Sequence, residues 1–184
     1  MKIIITESQY NRILKEEEEQ KVLQIPSLKV FGNDWYELQK FLESKGNPPY
    51  TIGGNLDLEK TPIKSLGNLT SVGGYLALYE TLIKSLGNLQ SVGDDLNLRR
   101  TPIKSLGNLT SVGGYLYLIG TEIKSLGNLQ SVEGDLDLEE TPIKSLGNLQ
   151  SVGGDLDLER TPLSKKYTRE QIRQMVDVGG KIYM

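Results

Sequence analysis

The chain of 184 residues is 37% hydrophobic, carries a net charge of −3 and contains neither cysteine nor histidine. That length suits one domain rather than two, and the slight negative balance offers no overall basic field to nucleic acid or an anionic membrane. Without thiols or imidazoles there are no disulfides, no thiolate chemistry and none of the commonest general base.

Residues 1–24 differ in character from the rest and read as an N-terminal tail with an amphipathic segment. Ile3 to Ile5 suit a brief strand, Thr6 with Gln9 a capping box, and Tyr10, Ile13 and Leu14 a modest apolar stripe ahead of the run Glu16 to Glu19. No apolar run approaches the ~18 residues of a spanning helix, and the opening Lys2-Ile3-Ile4-Ile5 turns polar at Thr6, so no signal peptide is expected. The start MKIIITESQYNRIL resembles those of many tailed-phage proteins. That resemblance implies a setting in the host cytoplasm or in association with a virion.

Residues 25–50 are expected to form an N-terminal cap. Leu28 to Phe31 suit a short strand, and Asp34 with Glu37 opens a helix presenting Trp35, Leu38, Phe41 and Leu42 on one side. Lys45-Gly46-Asn47-Pro48-Pro49 ends it. The only tryptophan and both phenylalanines fall in this stretch, as expected of a segment that shields an open repeat end.

From 51 to 163 the chain repeats itself every twenty residues. TPIKSLGNL stands at Thr61, Thr101 and Thr141, with Leu82 and Glu122 as single departures at Thr81 and Thr121. Within one unit Leu76, Leu78, Ile83, Leu86, Leu89 and Val92 are apolar, and the first pair alternates with Tyr75, Ala77 and Tyr79 at strand spacing. One twenty-residue unit cannot enclose a core, whereas stacked units bury one another's leucines. The expectation is an α/β-type repeat solenoid with one short parallel strand per turn and a helical cap at each end. The spacing Leu76-x-Leu78-x-x-Thr81-x-Ile83 resembles the leucine-rich-repeat signature, with threonine in place of asparagine or cysteine. That resemblance implies a right-handed coil, and the threonine hydroxyls are expected to satisfy turn amides.

Residues 164–184 break the repeat. Thr168 with Gln171 caps a helix expected to turn Ile172, Met175 and Val176 inward, after which Val178 to Met184 reproduces the pattern Val152 to Leu158 as a last strand.

Function is sought where the turns differ. The convex sequence is nearly constant, whereas the outward strand positions vary, giving an aromatic centre with acidic ends. Tyr75, Tyr79, Arg99, Arg100, Tyr115, Tyr117 and Ile119 are expected to share a patch, since parallel strands lie about 4.8 Å apart. Tyrosine and arginine are frequent interface anchors, which points to a non-enzymatic protein-binding module whose partner is a protein. The alternative is a structural or assembly protein that self-associates weakly or docks through its N-terminal segment. Asp57, Glu59, Asp135, Asp137, Glu139, Asp155, Asp157 and Glu159 flank the centre as a solvated or partner-steering face. Straight strands offer no wrapping oxygen cage, so no metal is expected, and no cofactor either. A face on the order of 500 Å² falls below the roughly 800 Å² per partner of a stable complex, so edge residues such as Lys60, Glu80, Arg100, Glu140 and Arg160 must add area. The glycines precede a strand rather than a helix and so cradle no phosphate. With no histidine, cysteine or evident pocket, catalytic residues are not expected.

Overall fold

The computed structural model describes Thr6, Ser8 and residues 22–184. The strand expected at Ile3 to Ile5 and the stripe of Tyr10, Ile13 and Leu14 lie outside the described residues.

From residue 22 on, the described chain runs through β1 (Leu23–Ile25), a 3-10 turn (Leu28–Phe31) and α1 (Trp35–Ser44), followed by β2 (Tyr50–Ile52) and β3 (Leu56–Asp57). The repeats then contribute β4 (Leu69–Val72), β5 (Leu76–Ala77), β6 (Ser91–Val92), β7 (Leu96–Asn97), β8 (Ser111–Val112) and β9 (Leu116–Tyr117). After these come β10 (Ser131–Val132), β11 (Leu136–Asp137), β12 (Ser151–Val152), β13 (Leu156–Asp157), α2 (Arg169–Met175), β14 (Asp177–Val178) and β15 (Ile182–Tyr183). They stack as a solenoid with two parallel sheets: an eight-stranded one from β1 and β2 through the even strands to β14, and a seven-stranded one running from β3 to β15.

Each repeat therefore supplies two short strands, not the single one its alternation suggested. Val92, Leu96 and Leu98 all point inward, and the three residues between Val92 and Leu96 force a corner at Gly93-Asp94 that divides the coil. The second strand is only two residues long, too short to display an alternating pattern.

Register follows the period. Leu76 pairs with Leu96 and Leu96 with Leu116, while Val92 pairs with Val112. The spacing lengthens only at the ends, where Leu23 pairs with Tyr50 and Val152 with Val178. Helices α1 and α2 occupy those two longer coils. In the eight-stranded sheet the amide after each valine points back, as in Gly93 N to Val72 O at 2.8 Å. In the seven-stranded sheet the leucine amides point forward, as in Leu76 N to Asp95 O at 2.8 Å. Every inner coil is thus bonded to both neighbours.

The core is one continuous cluster of stacked columns. Leu76, Leu96, Leu116 and Leu136 are fully buried, as are Ile83, Ile103, Ile123 and Ile143. Each such side chain contributes roughly 1.5–3 kcal/mol on burial, and a coil obtains that only from the coils on either side.

The threonine column is buried from Thr81 to Thr161. Its hydroxyls act as donors where turn amides were expected to donate to them: Thr101 Oγ1 donates to Leu98 O at 2.7 Å, and the other threonines of the column bond likewise to the carbonyl three residues back, while Thr161 Oγ1 also accepts a turn amide as expected, from Ser164 N at 3.2 Å. The same carbonyl also accepts the Thr101 N–H at 3.2 Å, so the acceptor's second lone pair fixes the arrangement. No buried side-chain nitrogen or oxygen among the described residues lacks a partner.

The departures at Leu82 and Glu122 have a backbone cause. Their N–H groups donate to Ile63 O and Ile103 O at 3.1 Å, a bond that proline in the other coils cannot make. In those coils the contact moves two residues on, with Lys104 N donating to Lys84 O at 3.2 Å and Lys144 N to Lys124 O at 2.9 Å.

At the N-terminal end, Leu28 to Phe31 is a 3-10 turn rather than a strand, because Gly32 and Asn33 take left-handed φ of 66° and 61° and curl the chain back. The strand lies just before it, ending at Ile25 ahead of Pro26. Asp34 caps α1 through Tyr36 N and Glu37 N, and Trp35, Leu38 and Leu42 are buried. At the other end Thr168 and Gln171 form a reciprocal capping box. Ile172 and Val176 are buried, but Met175, expected inward, is 49% exposed, because α2 is a single short helix ending there.

Candidate functional site

The seven-stranded sheet carries the variable residues outward in three columns. The first is Asn55, Tyr75, Asp95, Tyr115, Asp135, Asp155 and Lys181; the second Asp57, Ala77, Asn97, Tyr117, Asp137, Asp157 and Tyr183. Glu59, Tyr79, Arg99, Ile119, Glu139 and Glu159 make the third. A turn follows in which Lys60, Glu80, Arg100, Glu140 and Arg160 adopt left-handed φ between 55° and 58°, with Gly120 at 71° in the fourth coil. These side chains are exposed beside the sheet.

Among the expected contact residues, Tyr115 is exposed at 42%, Arg100 is exposed, and Tyr75, Tyr79, Arg99, Tyr117 and Ile119 are half-buried. Ala77, read as outward-facing, is buried. The tyrosines of the second and fourth coils do not stack on each other across the third. Arginines from the third coil reach to either side instead: the Arg99 guanidinium lies 4.8 Å over the Tyr117 ring and that of Arg100 5.8 Å from the Tyr79 ring. Tyr115 and Tyr117 sit in one coil with ring centroids 6.0 Å apart and tilted by 44°.

Polar bonds hold this centre in shape. Arg99 Nε donates to Asn97 Oδ1 at 3.1 Å, and Asn97 Nδ2 donates to Glu59 Oε1 at 3.1 Å. Arg100 Nη1 donates to Tyr79 Oη at 3.0 Å and to Glu80 Oε1 at 3.1 Å. Hydrogen bonds from Tyr79 and Arg100 lower the Glu80 carboxyl below its ordinary range, and the same Glu80 contact raises the Tyr79 phenol. Burial raises Tyr117. Glu59, Tyr79, Asn97, Arg99, Arg100 and Ile119 together line a hollow of about 430 Å³.

The acidic residues have tasks that the sequence reading did not assign to them. In the first column Asp95 Oδ1 accepts Tyr115 N, Asp135 Oδ1 accepts Asp155 N and Asp155 Oδ1 accepts Lys181 N, each at 2.7 Å; Asn55 Oδ1 accepts Tyr75 N at 3.2 Å. These bonds tie the first coil to the second, the third to the fourth, the fifth to the sixth and the sixth to the last. In the second column Asp57, Asn97, Asp137 and Asp157 accept the N–H two residues on, which shapes the left-handed turn after the strand. A signal was present in the residues: Asn55, Asp95 and Asp135 are each followed nineteen positions on by glycine. A Cβ on Gly114 would come 2.2 Å from Asp95 Oδ1. Asp94, which carries a side chain in that glycine column, follows Tyr75.

The other oxygens of Asp135, Asp137 and Asp157 have no hydrogen-bond partner among the described residues. With Tyr117, Leu136, Asp155 and Tyr183 these residues line a second hollow of about 160 Å³. Burial, with Asp157 nearby, raises the Asp137 carboxyl above its usual range. Glu139 and Glu140 meet Arg160, and Asp155 Oδ2 accepts the Tyr183 hydroxyl at 3.3 Å. Among the described residues no His, Cys, Asp or Glu group is placed to hold a metal ion, and no helix is long and apolar enough to cross a membrane.

No family model, curated protein or solved structure matches the chain.

Proposed function

We propose that this chain is a non-enzymatic protein-binding module of the short leucine-rich-repeat type, a right-handed coil with α1 and α2 as its caps. The spacing Leu76-x-Leu78-x-x-Thr81-x-Ile83 and the leucine columns it builds support the family reading. The binding surface is the centre formed by Tyr75, Tyr79, Arg99, Arg100, Tyr115, Tyr117 and Ile119. One observation carries it: the Arg99 guanidinium is held 4.8 Å over the Tyr117 ring beside an exposed Tyr115. Large, amphipathic and already ordered side chains lose little entropy on contact, the quality that makes tyrosine and arginine interface anchors. The acidic second half of the face steers the partner while its Oδ1 atoms hold the coils together. The phage-like opening of the chain supports a role in the host cytoplasm or on a virion.

The test is a pull-down from lysate with the wild-type chain beside a Tyr115→Ala, Tyr117→Ala double variant of matched thermal stability. Loss of the retained proteins by the variant is expected. Equal retention by both baits would remove the aromatic centre as the site.

A further inference from the structure

Arg99 is a cation without a carboxylate of its own. Arg100 and Arg160 meet Glu80 and Glu140 on the neighbouring coil, whereas Arg99 takes part in no ion pair among the described residues. Its Nε donates to Asn97 Oδ1, and neither Nη group has an acceptor among those residues.

The second column of the face explains this. Asp57, Asp137 and Asp157 each stand two positions before a glutamate, Glu59, Glu139 and Glu159, and accept its N–H. In the third coil an arginine takes the glutamate's place, and there Asn97 makes the turn, its Oδ1 accepting Arg99 N at 3.2 Å. An aspartate would shape the same turn and neutralise the arginine; the amide shapes it and leaves the charge unmatched. The coils on either side add no charge in these two columns, presenting Ala77 and Tyr79 before and Tyr117 and Ile119 after. A half-buried guanidinium is thus framed by uncharged side chains and held by Asn97 and the Tyr117 ring.

The hollow of about 430 Å³ opens onto it. Arg99 and Arg100 give this hollow positive charge, while Glu59 reaches across the second coil to accept Asn97 Nδ2 at 3.1 Å. A planar guanidinium with unoccupied Nη donors matches a planar carboxylate through two parallel bonds. A phosphate would bring roughly −1.5 to −2 charges beside Glu59 and Glu80, so one negative charge suits the hollow better than two. Among the remaining charged residues of the three columns all but Lys181 are acids, so whatever flanks that charge must be neutral or basic.

We propose that an aspartate or glutamate side chain of the partner anchors in this hollow, its carboxylate received by Arg99 with Arg100 beside it, within a segment that is otherwise neutral or basic. The inference rests on the protein-binding reading of this face and specifies its partner. Because the guanidinium is already oriented, little freedom is lost on contact.

The test is selection from a displayed library of random peptides on the immobilised full chain, followed by binding of the selected sequences as synthetic peptides with amidated C termini. One aspartate or glutamate position is expected to recur, and exchanging that residue for its amide to weaken binding about tenfold or more, as loss of a charge-assisted bond does. Asn97→Asp keeps the turn bond, as Asp57 and Asp137 do, but sets a carboxylate against Arg99. It is expected to lose affinity for the acidic peptides to a similar degree while binding their amide forms as wild type does. Should it fail to fold, Arg99→Gln is read by the same criteria. The proposal is overturned if no acidic position recurs, if acid and amide peptides bind alike, or if Asn97→Asp binds the acidic peptides undiminished. Tighter binding of phosphoserine at the acid's position overturns it too. The reading of the face is judged separately with the Tyr115→Ala, Tyr117→Ala variant. Peptides that lose this variant but ignore the acid-to-amide exchange leave a protein-binding face without the proposed anchor. Peptides that bind it as they bind wild type, or a selection that yields none, overturn both.

Discussion

Asp95 Oδ1 accepts the Tyr115 N–H at 2.7 Å across a coil boundary, twenty positions away in sequence. This carboxylate of the variable face is a tie between coils, and it holds the backbone at Tyr115, just ahead of the strand that carries Tyr117. Architecture and candidate site therefore share an atom. Replacing Asp95 with alanine is expected to lower stability by about 1.5–3 kcal/mol, the usual range for a bond to a charged acceptor. The Asp95→Asn variant should stay within about 0.5 kcal/mol of wild type, since Asn55 does the same work in the first coil. Urea unfolding of both variants checks the pair.

Two glycines in equivalent turns should respond unequally to alanine. Gly107 has φ of 62° and a Cβ there would come 2.5 Å from Gly87 O, whereas Gly127 has φ of 59° with nothing within 4 Å. Gly127→Ala is expected to cost about 1 kcal/mol for the left-handed backbone alone. Gly107→Ala must also displace the neighbouring coil, so its loss should be the larger. Equal melting temperatures would mean that the convex side yields freely.

Thr101→Val keeps shape and removes the hydroxyl that donates to Leu98 O. A loss of about 1 kcal/mol is expected, with Ile103 and Leu98 remaining buried. Thermal unfolding measures it. A neutral result would assign the column to packing rather than to hydrogen bonding.

Asp137 supplies a pH dependence with a definite sign. Burial raises its carboxyl above the usual range, and Asp157 adds to the effect against the opposing Glu139 N–H. The folded chain then holds this proton to higher pH than the unfolded chain. Its ionisation lowers stability as pH rises from the ordinary carboxylate pKa through the folded value, and the loss persists above. Asp137→Asn, whose amide oxygen can keep the Glu139 N–H bond, is expected to melt higher than wild type at about pH 7 and together with it at about pH 3. A variant that melts lower at neutral pH would show the bond outweighing the burial.

Residue order alone determined the period, the inward leucines and the position of the variable face. Those properties repeat, and a periodic apolar pattern has one way to bury itself. Leu76, Leu96 and Leu116 could be assigned inward without coordinates because each stands in the same company. The helix starts at Asp34 and Thr168 were legible for a similar reason, since a cap is a local bond. Tertiary structure decided the rest: the second sheet, the buried Ala77, the exposed Met175, and the pairing of Arg99 with Tyr117 and of Arg100 with Tyr79. It also turned Asp135 and Asp155 from surface charges into ties, and placed Arg169 and Arg173 on the last coil's carbonyls. Each of these depends on which atoms of one coil face the next, and a distance across twenty residues of chain is set by stacking, not by neighbours in sequence.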